Sequence, residues 1–132
     1  MRNRILADTT IWIEFFRAKS KIGDRLEKLL MENAVWTCGM VMFEVLQGIK
    51  SEGEKINILD VMASLPYVEM TKKLWQSVAE LSLLVKKNGV NLPLSDILIA
   101  AIAIENDLSV YTLDNHFKQI PNLKLYEKKI AY

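Results

Sequence analysis

At 132 residues, 51% of them hydrophobic and 25% charged, the chain has the size and composition of one folded domain, which excludes a disordered or low-complexity protein. Lys and Arg number 17 against 16 Asp and Glu, so a net charge of +1 gives no bulk attraction to nucleic acid, and any basic surface must be local. The lone cysteine, Cys38, has no partner for an internal disulfide and suits a reducing compartment as a buried small hydrophobe.

Ile5-Leu6-Ala7 reads as a short buried strand, and Asp8-Thr9-Thr10 offers capping side chains to a helix through Phe16. A second helix is expected from near Ser20, with Ile22, Leu26, Leu29 and Leu30 on one face. Ala34 to Thr37 reads as a strand broken by Gly39, after which a helix carries Glu44. Glu52 to Ser64 reads as a helix, Pro66 to Met70 as a short strand, and Thr71 as the cap of the next helix. That helix keeps Leu74, Val78, Leu81 and Val85 on one stripe and ends at Lys86-Lys87-Asn88-Gly89, charge and glycine that suit a helix C-terminus. Ser95 is expected to cap a helix beginning at Asp96, whose apolar run Ile97 to Ile104 implies a central, buried position. Ser109 to Thr112 reads as a strand, Asp114 to Gln119 as a short helix, and Leu123 to Tyr126 as a last strand.

Helices separate nearly all the strands, the pattern of a parallel sheet with helices on both faces. No repeat or linker divides the chain, so residues 1–132 read as a single domain. Ile97 to Ile104 is too short to span a membrane, and Ile5 to Ala7 too short for a signal-peptide core; the expected location is the cytoplasm.

Four acids interrupt this pattern where a strand ends or a helix starts: Asp8, Glu44, Asp96 and Asp114. Each is flanked by apolar residues, and buried carboxylates are costly unless something compensates their charge. A hard divalent ion is the usual compensator. The carboxyl ends of parallel strands are where such groups converge in an open α/β sheet. Taken singly, Asp8 and Asp96 are ordinary helix-start acids, Glu44 a surface helix residue and Thr10 a cap; together they suggest a shared site.

The same positions carry a family resemblance, from Asp8 to Phe117. Asp8-Thr9-Thr10-x-Trp12-Ile13, Glu44-x-x-x-Gly48, Asp96-x-x-Ile99-Ala100-Ala101 and Thr112-x-Asp114-x-x-Phe117 stand in the order of the PIN-domain nuclease motifs. More narrowly, they resemble the VapC-type toxins of toxin–antitoxin pairs. The resemblance implies a PIN-like three-layer α/β/α fold with a central parallel sheet of about four to five strands. It also implies a Mg2+-dependent endoribonuclease, with Mn2+ a possible substitute, hydrolysing RNA phosphodiester bonds by a metal-activated water. In that reading Asp8 and Asp96 are the main metal ligands, Glu44 orients the metal or its water, Asp114 completes the acidic cluster, and Thr10 positions Asp8. A homodimer and a cognate antitoxin that neutralises the activity are implied as partners. The chain departs from the pattern at Leu113, where a polar or basic residue is common, and at Asn115 and His116, where some relatives carry a further acid.

His116, the only histidine, invites a general-base role, but an exposed polar turn residue is the plainer reading. Arg17, Lys19, Lys21, Arg25 and Lys50 follow the acid-bearing elements and are the candidates for RNA contact. Trp12, Phe15 and Phe16 read mainly as core, with a partner-binding face as the other use. Competing functions are a non-catalytic PIN-like interaction module, a housekeeping PIN nuclease, and a phosphatase with Asp8 as nucleophile. Against the last, Thr10 stands where an Asp-x-Asp pair needs its second acid.

Overall fold

The computed structural model describes residues 3–17 and 20–127; Lys19, among the RNA-contact candidates, lies outside them. Strand β1 (Ile5–Ala7) leads through α1 (Thr9–Arg17) and α2 (Lys21–Met31) to β2 (Val35–Cys38). Helices α3 (Gly39–Gln47) and α4 (Glu52–Ala63) then lead to β3 (Tyr67–Val68). Helices α5 (Lys72–Lys87) and α6 (Leu94–Glu105) return the chain to β4 (Ser109–Tyr111), followed by a 3-10 turn at Asn115–Gln119. Local chemistry sets the starts: the side chains of Ser20, Ser51 and Thr71 accept the amides of Gly23, Glu54 and Leu74 as N-caps.

The sheet has four parallel strands in the order β3-β2-β1-β4. Its first three strands march outward, and the chain then crosses the whole sheet to add β4 on the other side of β1. Because such crossovers are right-handed, the reversal places α5 and α6 on the face opposite α1 to α4, giving an α/β/α sandwich. It also makes a switch point between β1 and β4, the crevice where open α/β sheets hold ligands.

The core is built on the sheet's central strand and on α6. Ile5, Leu6 and Ala7 are fully buried, as are Trp12 and Ile102, and every residue from Ile97 to Ala103 is buried. Trp12 meets Phe15 edge-on and stacks on Phe16, so these rings are largely core, and Cys38 is buried as expected. Among the described residues no helix is long and apolar enough to cross a membrane.

Two local expectations change, at the start of α6 and at the last strand, and one is sharpened, at Gly39. Helix α6 starts at Leu94, with Pro93 at the N-cap and no side-chain capping bond, so Ser95 is not the cap and Asp96 lies inside the first turn. Pro93, at φ −61° and ψ 150°, takes the extended N-cap backbone, which leaves Ser95 already helical. Helix α3 begins at Gly39 itself, so Gly39 ends β2 by starting a helix. Among the described residues the expected last strand is a single parallel bridge, Val110 to Leu125, entered after a left-handed turn at Asn122, φ 66°.

Candidate active site

Asp8 follows β1 directly and is 5% exposed. Its backbone joins β4 through the Tyr111 carbonyl at 3.0 Å and its own carbonyl accepts the amides of Ile11 and Trp12, so it is the N-cap of α1. The carboxylate is densely bonded. Oδ1 accepts the Thr10 amide at 3.0 Å, the Thr10 hydroxyl at 2.5 Å and the Ile11 amide at 3.4 Å, and Oδ2 accepts the Thr112 hydroxyl at 2.5 Å. The Thr10 hydroxyl also accepts the Leu113 amide at 3.0 Å.

Asp114 lies three residues past β4 and caps the 3-10 turn, its Oδ1 accepting the His116 amide at 2.9 Å. The Thr112 hydroxyl accepts the Asp114 amide at 2.9 Å, so one side chain fixes both Asp8 and Asp114. Asp96 arrives from the first turn of α6 and meets the ring of His116, whose Nδ1 is 3.3 Å from Asp96 Oδ2 and 3.2 Å from Asp114 Oδ1. Asp96, Asp114 and His116 each offer a metal-donor atom, all within 4.8 Å of one another. Among the described residues, Asp8 and Glu44 do not join that group. Glu44 is half-buried on α3 and accepts the Thr9 hydroxyl at 3.1 Å, beside Asp8 in the chain.

The electrostatics follow from burial. Desolvation pushes the Asp8 carboxyl above the usual aspartate value, and the bonds from Thr10, Thr112 and Ile11 offset it only in part. Asp96 is also raised, first by burial and then by the charge of Asp114, while the His116 bond opposes both. Mutual repulsion of the acids is therefore secondary here to loss of solvent.

The sequence matches the PIN domain family over residues 5–123. The chain belongs to the PIN domain family. Ribonuclease VapC11 of Mycobacterium tuberculosis is 26% identical over 124 residues, a match spanning 90% of this chain and 92% of that protein. The fold is shared with solved VapBC complexes: a chain of VapBC2 from Rickettsia felis bound to a promoter DNA fragment superposes with a TM-score of 0.77, at 23% identity over 95% of this chain and 98% of that one. DNA-bound VapBC from Salmonella typhimurium gives 0.78 at 18% identity, over 94% and 97% of the two chains.

PIN domains imply a divalent metal, and the donor chemistry here fits one. Asp96 and Asp114 supply the hard oxygens that such an ion prefers, with a ring nitrogen beside them. Asp8 is more constrained: Oδ1 is filled by three donors, which leaves Oδ2 the atom free to take a further partner. From the sequence Thr9 reads only as a capping side chain, Thr112 only as the opening of the last motif, and His116 as a plain turn residue. The signal for Thr112 was its place two residues before Asp114, the spacing at which a hydroxyl accepts a following amide. Arg17 is committed to scaffold contacts, donating to the Gly48 carbonyl at 2.7 Å and lying 3.9 Å from Glu54, which weakens its claim to RNA.

Proposed function

We propose that this PIN domain is a VapC-like endoribonuclease that hydrolyses RNA phosphodiester bonds with Mg2+, or Mn2+ in its place, and is held in check by a cognate antitoxin. The observation that carries this reading is the convergence of Asp8, Asp96 and Asp114 on the crevice between β1 and β4, tied together by Thr112 and His116. When bound, the divalent ion supplies Lewis-acid activation of water and neutralisation of phosphate charge. Asp96 and Asp114 hold it, Asp8 contributes Oδ2, and Glu44 orients groups from the α3 side. Thr10 and Thr112 fix the Asp8 carboxylate so that it need not reorganise during reaction. Lys21, Arg25 and Lys50 are the basic groups proposed to meet the RNA backbone.

The antitoxin reading draws on the VapBC neighbours and on a mainly apolar hollow of about 470 Å³, walled by Phe15, Leu30, Val61 and Leu65 with Asn33 and Ser64 as its polar members. Phe43, 60% exposed on α3, and Leu83, 62% exposed on α5, offer apolar surface for a homodimer.

The test is cleavage of a mixed cellular RNA pool by purified protein with Mg2+ or Mn2+, beside EDTA and Asp8→Asn controls. Discrete fragments that require both metal and Asp8 support the proposal. Cleavage that persists in EDTA, or in well-folded Asp8→Asn protein, overturns it. Metal-independent inertness, with no Mn2+ binding, favours the non-catalytic interaction module.

A further inference from the structure

The His116 ring faces the acidic pair rather than solvent alone. Half its side chain is exposed, but Nδ1 points at Asp96 Oδ2 and Asp114 Oδ1, at 3.3 and 3.2 Å. Those spacings have a chemical meaning. Two donors in adjacent positions of an octahedron, each about 2.1 Å from the ion, lie about 3.0 Å apart. The nitrogen therefore already sits near the edge length that each carboxylate oxygen would share with it around one ion. Without an ion the contact is a hydrogen bond from Nδ1–H to the carboxylates; an ion between them would take the place of that proton, the ring proton then standing on Nε2 and the Nδ1 lone pair facing the ion.

The backbone holds this arrangement independently of the ring. The His116 amide donates to Asp114 Oδ1 at 2.9 Å, locking the 3-10 turn that carries the imidazole. The buried Phe117 next to it anchors the turn in the core. The ring is thus delivered to the acids by a fixed turn and not by a long flexible arm.

From this we propose that His116 is an inner-sphere metal ligand through Nδ1, making the centre an oxygen–nitrogen site that prefers Mn2+ and similar transition ions over Mg2+. The proposal rests on the metal-centre reading above. Its physical basis is ligand type: imidazole suits borderline transition ions, whereas Mg2+ favours oxygen donors and gains little from a nitrogen. A positioning role, in which the ring only hydrogen-bonds the two carboxylates, predicts no such preference.

The experiment is pulsed electron paramagnetic resonance on untagged protein loaded with Mn2+, with Mn2+ and Mg2+ affinities measured in parallel. His116 is the only histidine in the chain, so a coordinated imidazole nitrogen has one source. Wild-type protein should show nitrogen modulation that changes from the 14N to the 15N pattern on histidine labelling and disappears in His116→Ala. That variant keeps the amide bond to Asp114 and should bind Mn2+ roughly tenfold more weakly while Mg2+ affinity changes less than about threefold. Mn2+ bound without nitrogen modulation, or an unchanged Mn2+-to-Mg2+ ratio in the variant, overturns the ligand role and leaves the metal centre standing. Absence of Mn2+ binding in the wild type overturns both. The labelled wild-type spectrum decides the matter even if the variant folds poorly.

Discussion

Asp8 Oδ2 accepts the Thr112 hydroxyl at 2.5 Å across 104 residues of sequence, joining the end of β1 to the segment after β4. The same hydroxyl oxygen accepts the Asp114 amide at 2.9 Å. One small side chain therefore sets the spacing of two acids on either side of the switch point. An oxygen that donates to a buried carboxylate and accepts from a backbone amide has no apolar substitute.

Thr112→Val should accordingly cost about 1–3 kcal/mol of stability, because it strips a donor from buried Asp8 and an acceptor from Asp114 while keeping the side-chain volume. RNA cleavage should fall with it, and Thr112→Ser should restore most of both. Urea denaturation and initial cleavage rates would check this. A Val variant as stable and active as wild type would show that the hydroxyl is dispensable.

Asp96 lies in the first turn of α6 with its side chain 15% exposed. Asn is close in shape and removes the cost of burying a charge, so Asp96→Asn should fold at least as stably as wild type without metal. Cleavage should nevertheless drop on the order of 10²-fold or more, because the variant loses a charged oxygen proposed to hold the divalent ion. Near wild-type cleavage by a folded Asp96→Asn protein would remove this residue from the chemistry.

Much of this was visible in the chain itself. The stripe Leu74, Val78, Leu81, Val85 becomes the buried face of α5, and the all-round apolar run after Asp96 becomes the central helix. Periodicity reports such faces because burial repeats with the helix. What stayed hidden depends on contacts between distant segments. The ring of His116 looks like a solvated turn residue until α6 places Asp96 beside it, and Thr112 looks like a strand terminus until Asp8 arrives from β1. The α6 boundary was misread because Ser95 is a good cap in isolation, whereas Pro93 already supplies the extended backbone. The last strand is reduced to one bridge among the described residues because its pairing depends on the distant edge of β4, which no propensity at Leu123 to Tyr126 encodes.

The raised Asp8 and Asp96 carboxyls give a signed pH dependence. In the unfolded chain both release their protons in the ordinary aspartate range; in the folded apo protein they hold them to higher pH. Between those limits the folded state binds more protons, so apo stability falls as pH rises. The contribution is complete below the ordinary aspartate range and gone once pH passes the raised values. Exposed Asp107, held low by Lys124, works weakly in the opposite sense. Denaturation in EDTA across the weakly acidic to neutral range should show the decline, Asp8→Asn should flatten it, and Mn2+ should oppose it by mass action. A slope unchanged from wild type in both Asp8→Asn and Asp96→Asn would assign the effect to other groups.

Gly23 couples a distant packing contact to the site. It is buried in α2, and a Cβ there would lie 3.0 Å from the Glu14 carbonyl oxygen and 3.2 Å from Phe15 Cα. Both atoms belong to the α1 backbone, so no side-chain rotation relieves the crowding and the two helices must separate. Alanine favours a helix interior over glycine by about 1 kcal/mol, but overpacking costs typically 1–3 kcal/mol. Gly23→Ala should therefore be neutral to destabilising by about 2 kcal/mol, despite its better helix propensity. Because α1 begins at the amides that bond Asp8, cleavage should fall more than Mn2+ affinity, since two of the three proposed carboxylate ligands, Asp96 and Asp114, and the His116 ring stand on other elements. Thermal melts, cleavage rates and Mn2+ titration on one preparation would check this. A clearly stabilised Gly23→Ala protein would mean that the α1–α2 approach tolerates a methyl group and does not constrain the site.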